Sequence, residues 1–271
     1  MKTAKLLAAL ALLTQTSPVL AWGKIGHRVT CAIADHYLSH AARHQVRHIL
    51  GVETLAEASN WPDFMRASTA EFWQKSAGPW HYVTVPDGKT YAEVGPPPEG
   101  DALTALKRFS AELRDPATPR AEKQLALRFM VHIIGDVHQP LHVGNGTDHG
   151  GNDVKLTFFN TPTNLHAVWD SGIIDQEQLS YSEYAAWLTP RITRHKLRLW
   201  WTADPEKWIA ESQALRAGAY PKGTAISYDY VFVNKAIVEQ RLEQAGVRVA
   251  AYLNQLFAAP TKRRASLLRR G

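Results

Sequence analysis

The sequence predicts one mostly α-helical domain with a small β-hairpin. Three observations carry that prediction. Apolar residues recur with a period near 3.6 along most of the chain; only two short stretches are rich in β-branched and aromatic residues; and no repeat or low-complexity block divides the chain. Residues 24–38 (KIGHRVTCAIADHYL) and 40–50 read as helices, with Ser39 as the N-cap between them. An amphipathic helix is expected over 101–114, and a longer one, rich in helix formers, over 120–138. Further helices fall at 205–217 and at 228–257, the last either continuous or broken. WHYVTV at 80–85 and DVKLTFF at 153–159 read as strands, and 94–100 and 143–152 as linkers.

The domain is expected to occupy 22–260, between two ends of different character. Met1 to Ala21 carries Lys2 and Lys5, then the apolar run LLAALALL, then Pro18 and a small residue at Ala21. That pattern is a secretory signal peptide, and the apolar run falls short of the ~20 residues a spanning helix needs. Cleavage after Ala21 makes Trp22 the first mature residue and predicts a secreted or periplasmic protein. The net charge of +6 is concentrated at the ends: residues 261–271 hold Lys262, Arg263, Arg264, Arg269 and Arg270 and no acid. Without leader and tail the body is nearly neutral, so the charge argues for a solvated, disordered tail rather than a basic groove. Cys31 is the only cysteine, which excludes an intramolecular disulfide and leaves bound metal as the natural reinforcement of a secreted fold.

The chemistry concentrates in HIIGDVHQPLH, residues 132–142. His132 and Asp136 are four apart on a predicted helix and share one face. Pro140 cannot continue that helix, so His142 leaves it on a different heading. NLHAVWD repeats the pattern, with Asn164 as an N-cap and His166 and Asp170 again four apart. Asp63 in WPDF, His81 in WHYV and His27 in WGKIGH add to the set. Neutral imidazole nitrogen and carboxylate oxygen are the donors zinc takes. One such pair is more often a capped or salt-bridged histidine; several, spread along one chain, point to metal.

Together these pieces resemble the trinuclear-zinc, single-strand-specific nucleases of the S1/P1 type. WGKIGH, WPDFMR, WHYV, HIIGDVHQPLH, GGND, NLHAVWD and YDYVFVNKAIVEQRLEQAGVRVAAYLNQLF occur in the family's order over nearly the whole mature chain. The resemblance implies the helical fold shared by phospholipase C and nuclease P1, and three zinc ions. One is held by Asp63, His81, His132 and Asp136. The second takes the α-amino nitrogen and carbonyl oxygen of Trp22 with His27 and the bridging Asp136; the third takes His142, His166 and Asp170. It further implies hydrolysis of single-stranded DNA and RNA to 5′-nucleotides, 3′-nucleotidase activity, and a catalytic Asp63 that orients the attacking water or accepts its proton. Arg66 is the implied phosphate contact, Tyr82 the base-stacking aromatic and Asn152 a polar base or phosphate contact. Thr84 stands where fungal members carry an aspartate that reads the base.

Other features read as structural. His36, His40, His44 and His48 recur every four residues, but Arg43 and Arg47 lie among them and oppose cation binding, so a solvated face is expected. His138 points away from His132 and Asp136 on the helix, a supporting rather than a ligating position. Trp200, Trp201 and Trp208 read as core or rim packing. His149, in a glycine-rich loop, has no assigned role. A phospholipase C is the nearest rival, but such enzymes resemble a longer spacing between first residue and first histidine, and a glutamate where this chain has Asp170. A non-catalytic metal- or nucleic-acid-binding protein using its basic tail is the other.

Overall fold

A computed structural model describes residues 22–258. The predicted signal peptide, residues 259–260 of the predicted domain and the basic tail lie outside the described residues.

The long helices fall where the periodicity places them. The first, α1 (Lys24–Tyr37), is followed by α2 (His40–Leu50), whose N-cap Ser39 accepts a hydrogen bond from Ala42 N. Short helices α3 (Leu55–Ala58), α4 (Trp61–Met65) and α5 (Tyr91–Val94) precede α6 (Ala102–Arg114), which Asp101 caps. The central helix α7 (Arg120–Asp136) stops two residues early, before the turn that Pro140 enforces. After α8 (Leu165–Ala167), α9 (Ile173–Asp175), α10 (Tyr181–Leu188), α11 (Arg194–Trp200) and α12 (Pro205–Arg216), the chain closes with α13 (Tyr228–Leu256). The last is one unbroken helix. It crosses α1 so closely at Gly246 that a Cβ there would lie 2.5 Å from Ile33 Cγ2 and 2.9 Å from Thr30 O.

The strands depart from expectation. Of residues 80–85, Trp80 and His81 belong to a 3₁₀ turn over Gly78–His81 that Pro79 initiates, and only β1 (Val83–Thr84) forms a strand. It pairs in parallel with β2 (Val143–Gly144), inside the stretch read as a linker. The second predicted strand is β3 (Lys155–Phe158), which pairs antiparallel with β4 (Thr161–Asn164) and parallel with β5 (Ala225–Ile226). Phe159 and Asn160, both at positive φ, make the two-residue hairpin turn. TPTN has poor strand propensity, but β4 is the edge of its sheet, where Pro162 breaks no ladder.

Two cores flank the centre of the molecule. In one, Phe129 of α7 stacks between Trp73 (5.5 Å) and Phe109 (5.2 Å), with Trp80 edge-on at 5.4 Å. That packing fixes the residue before His81 against the turn of α7 preceding His132. The other core gathers Trp22, Trp169, Val168 and Leu242. Trp200 and Trp208 are buried and Trp201 is half exposed, as rim and core packing require. Among the described residues, no helix is long and apolar enough to cross a membrane.

Candidate metal centre

Asp136 ends α7 fully buried, and imidazoles converge on both of its oxygens. His27 of α1 approaches Oδ1 through Nε2 at 3.2 Å. Oδ2 lies 3.2 Å from His81 Nδ1 and 3.2 Å from His132 Nε2, one turn earlier on the same helix. Gly135 makes the crossing possible, because a Cβ there would come within 2.9 Å of His27 Nδ1. The His27 and His132 rings consequently stack at 3.9 Å. Asp63 enters from α4, its Oδ1 3.8 Å from His132 Nε2. Past Pro140 the chain turns, and His142 Nε2 meets Asp170 Oδ1 at 3.6 Å while His166 Nε2 lies 3.1 Å from Oδ2. Asn164 caps the short helix carrying His166 by accepting from Ala167 N at 2.8 Å.

These side chains form three buried groups able to hold metal ions: Asp63 with His81 and His132, His27 with His132 and Asp136, and His142 with His166 and Asp170. The donor chemistry fits zinc. Both oxygens of Asp63, Asp136 Oδ1, Asp170 Oδ2 and Nε2 of His27 and of His142 are buried without a hydrogen bond. Such groups are costly to bury unless a cation meets them. Burial, reinforced by neighbouring imidazoles, holds His27 and His81 well below the usual histidine range, and burial also lowers His132 despite Asp63. Their lone pairs are thereby kept for a metal. Burial pushes Asp63 up to about 6 and Asp136 well above the usual carboxylate range. Asp170 is also raised by burial, but His166 and His142 more than compensate and hold it low.

The surrounding shell was not legible in the sequence. His132 Nδ1 donates to Ser59 O, His142 Nδ1 to His81 O and His166 Nδ1 to Gly150 O, each at 2.7 Å. Carbonyls only accept, so Nδ1 carries the proton and each Nε2 faces its group as a lone pair. Gln139 is the other missed residue: its Nε2 donates to Asp170 Oδ1 at 2.7 Å while its Oε1 accepts from Leu141 N. Its place inside HQPLH was the one available signal. His138 is fully buried and faces the opposite way, with Nε2 3.0 Å from Arg248 Nη1. His36, His40, His44 and His48 are all exposed.

Trp22 is fully buried, and the following amide, Gly23 N, donates to Asp170 O at 2.6 Å. The start of the described chain is thus anchored against the backbone of the His142–His166–Asp170 group.

His81, His142 and His166 line a cleft of about 1020 Å³. Arg66, Tyr82, Thr84, Asn152, His149 and Lys155 line it too. Arg66 Nη1 is buried without a hydrogen bond and stands 3.7 Å from Asp63 Oδ1. Tyr82 is 45 % exposed, leaving its ring open to the cleft. Asn152 Nδ2 donates one hydrogen bond to His149 O at 2.8 Å.

The fold is helical, and buried histidine–aspartate groups able to hold metal ions lie beneath an open cleft. The family model for S1/P1 nuclease matches residues 22–258, and the chain belongs to that family. Among its relatives, Endonuclease 4 of Arabidopsis thaliana is 30% identical over 292 residues, covering 94% of this chain and 96% of that protein. Nuclease S1 of Aspergillus oryzae is 28% identical, covering 89% and 93%. Nuclease P1 of Penicillium citrinum is 32% identical over 158 residues, covering 55% and 57%.

Proposed function

We propose that the chain is a secreted or periplasmic zinc endonuclease. It hydrolyses the 3′-O–P bonds of single-stranded DNA and RNA to 5′-nucleotides and removes the phosphate of 3′-nucleotides. The observation that carries this reading is the opening of buried histidine–aspartate groups into one cleft that also presents the Arg66 guanidinium, whose Nη1 makes no hydrogen bond, and an open tyrosine ring.

On this reading three zinc ions per chain would be held, one by Asp63, His81, His132 and Asp136, one by His27, Asp136 and the Trp22 amine and carbonyl, and one by His142, His166 and Asp170. Bound zinc supplies Lewis acidity for activating water and for stabilising charge on the phosphate and leaving oxygen. The protein does the rest. Arg66 places a non-bridging phosphate oxygen through a charge-assisted hydrogen bond. Asp63 orients the attacking water and takes its proton. Tyr82 stacks a base, which only an unpaired nucleotide offers. Asn152 contributes a polar contact beside it, and the neutral Thr84 weakens base preference.

Metal analysis of the mature protein, joined to digestion of single-stranded DNA and RNA with and without chelator, tests the reading. Bound zinc with chelator-sensitive cutting is expected. Undiminished activity in metal-free protein, or activity confined to phosphatidylcholine, would overturn it.

A further inference from the structure

Three titratable residues that line the cleft remain outside this scheme, His149, Asp153 and Lys155. The loop that presents His149 is rigidly set. His149 itself lies at φ 52°, and Gly150 follows at φ 63°, where a Cβ would collide with Leu141 O. Asp148 pins the loop from inside: Oδ1 accepts from Gly151 N at 3.0 Å and Oδ2 from Tyr220 OH at 2.6 Å. Its outward face carries an exposed pair, His149 Nδ1 donating to Asp153 Oδ2 at 2.6 Å.

Lys155 begins β3 directly opposite Asn164, the cap of the helix bearing His166. Its Nζ donates to Asn152 O at 2.7 Å, which holds the ammonium against the cleft wall. An ammonium has three donors, and this bond uses one. The acidic residue nearest to it in sequence is Asp153, whose Oδ2 is engaged by His149.

Arg66 stands 3.7 Å from Asp63, whereas Lys155 lies in register with Asn164, two residues before His166, and both cations line one cleft. The cleft volume of about 1020 Å³ reaches the upper end of single-ligand pockets, so it has room beyond one reacting nucleotide. We infer that Lys155 forms a second phosphate subsite, which engages a non-scissile phosphate of a single strand, with His149 masking the Asp153 carboxylate that would otherwise repel it. This inference rests on the nuclease reading and adds to it a site for substrate length.

The test is equilibrium binding of the zinc-loaded protein to a fluorescent single-stranded oligonucleotide with hydrolysis-resistant phosphorothioate linkages. A dinucleoside with one such linkage serves as the short probe. Lys155→Met should weaken oligonucleotide binding about three- to fivefold, the scale of an exposed charge contact. It should flatten the dependence of log K on log salt by about 0.7, one single-strand phosphate contact, and leave the short probe unchanged. Lys155→Arg should retain binding. His149→Ala should weaken the oligonucleotide alone, and adding Asp153→Asn should restore it. Unchanged oligonucleotide affinity and salt slope in Lys155→Met, or equal loss on both probes, would overturn the subsite. A wild type that binds the oligonucleotide but leaves unmodified strands uncut would instead overturn the nuclease reading, with the binding comparison still deciding the subsite.

Discussion

His132 Nε2 lies 3.2 Å from Asp136 Oδ2, one turn along a single helix, and every other member of two metal groups is brought to that pair from a separate element. The remaining carboxylate oxygen faces His27 at the same distance of 3.2 Å. His132 belongs to both groups, and Asp136 contacts an imidazole of each, His27 through Oδ1 and His81 through Oδ2.

Replacing Asp136 should dismantle both. Asp136→Asn keeps the volume but removes the charge that would offset the two adjacent cations of the proposed site. We expect zinc content to fall from three to one per chain and kcat/KM on single-stranded DNA to drop more than about a hundredfold. Full zinc content in this variant would contradict the bridging role.

Gln139→Leu should act on the other group alone. Losing the 2.7 Å hydrogen bond to Asp170 frees that carboxylate to rotate, a change that costs about 10- to 100-fold in metal affinity at comparable sites. Chelator titration should show one zinc released early and two retained.

The N-terminus carries its own prediction. A protein with one extra residue before Trp22 should lose one zinc and most of its activity, because the α-amine proposed as a ligand is then an amide. Equal metal content and activity in native-start and extended proteins would remove Trp22 from the set.

Tyr82→Ala should raise KM for oligonucleotides by roughly 5- to 150-fold, the equivalent of the ~1–3 kcal/mol carried by one base stack. Because the ring is half exposed, the melting temperature should hardly change. A large fall in Tm with unchanged KM would assign the ring to structure instead.

Acid stability should depend on Glu211. Its carboxylate joins Arg248 (2.5 Å) and Arg241 (3.0 Å), both fully buried, and Arg241 Nε in turn donates to His138 O. Burial pushes Glu211 up, but Arg248 and Arg241 outweigh it and hold the group below its ordinary value of 4.5. The unfolded chain thus binds more protons in that window. Stability from this group is fully present above pH 4.5 and is lost as pH falls through the lower folded value. Urea unfolding of Glu211→Gln should show lower stability at pH 7, where two guanidiniums lose their counter-charge, and a shallower further loss below pH 4.5 than the wild type.

Much of this protein follows from local sequence. The 3.6 period set the long helices to within two residues at their ends, Ser39 and Asn164 cap where their side-chain chemistry places them, and Pro140 turns His142 off the helix. The four-residue spacings put His132 with Asp136 and His166 with Asp170, because each pair lies along one helical stretch. Other features needed the tertiary structure. Strand propensity in WHYVTV yields to a 3₁₀ turn that buries Trp80 against Phe129, and the unpromising TPTN becomes an edge strand because β3 offers it a ladder. Gln139, Ser59 O and the Lys155–Asn164 register link positions whose partners lie far along the chain or in another strand, and no periodicity reports them. Spacing within a helix is fixed by backbone geometry alone. Which helices meet, and which imidazole nitrogen then faces the centre, is fixed by burial of their apolar faces and by the carbonyls that packing brings within reach.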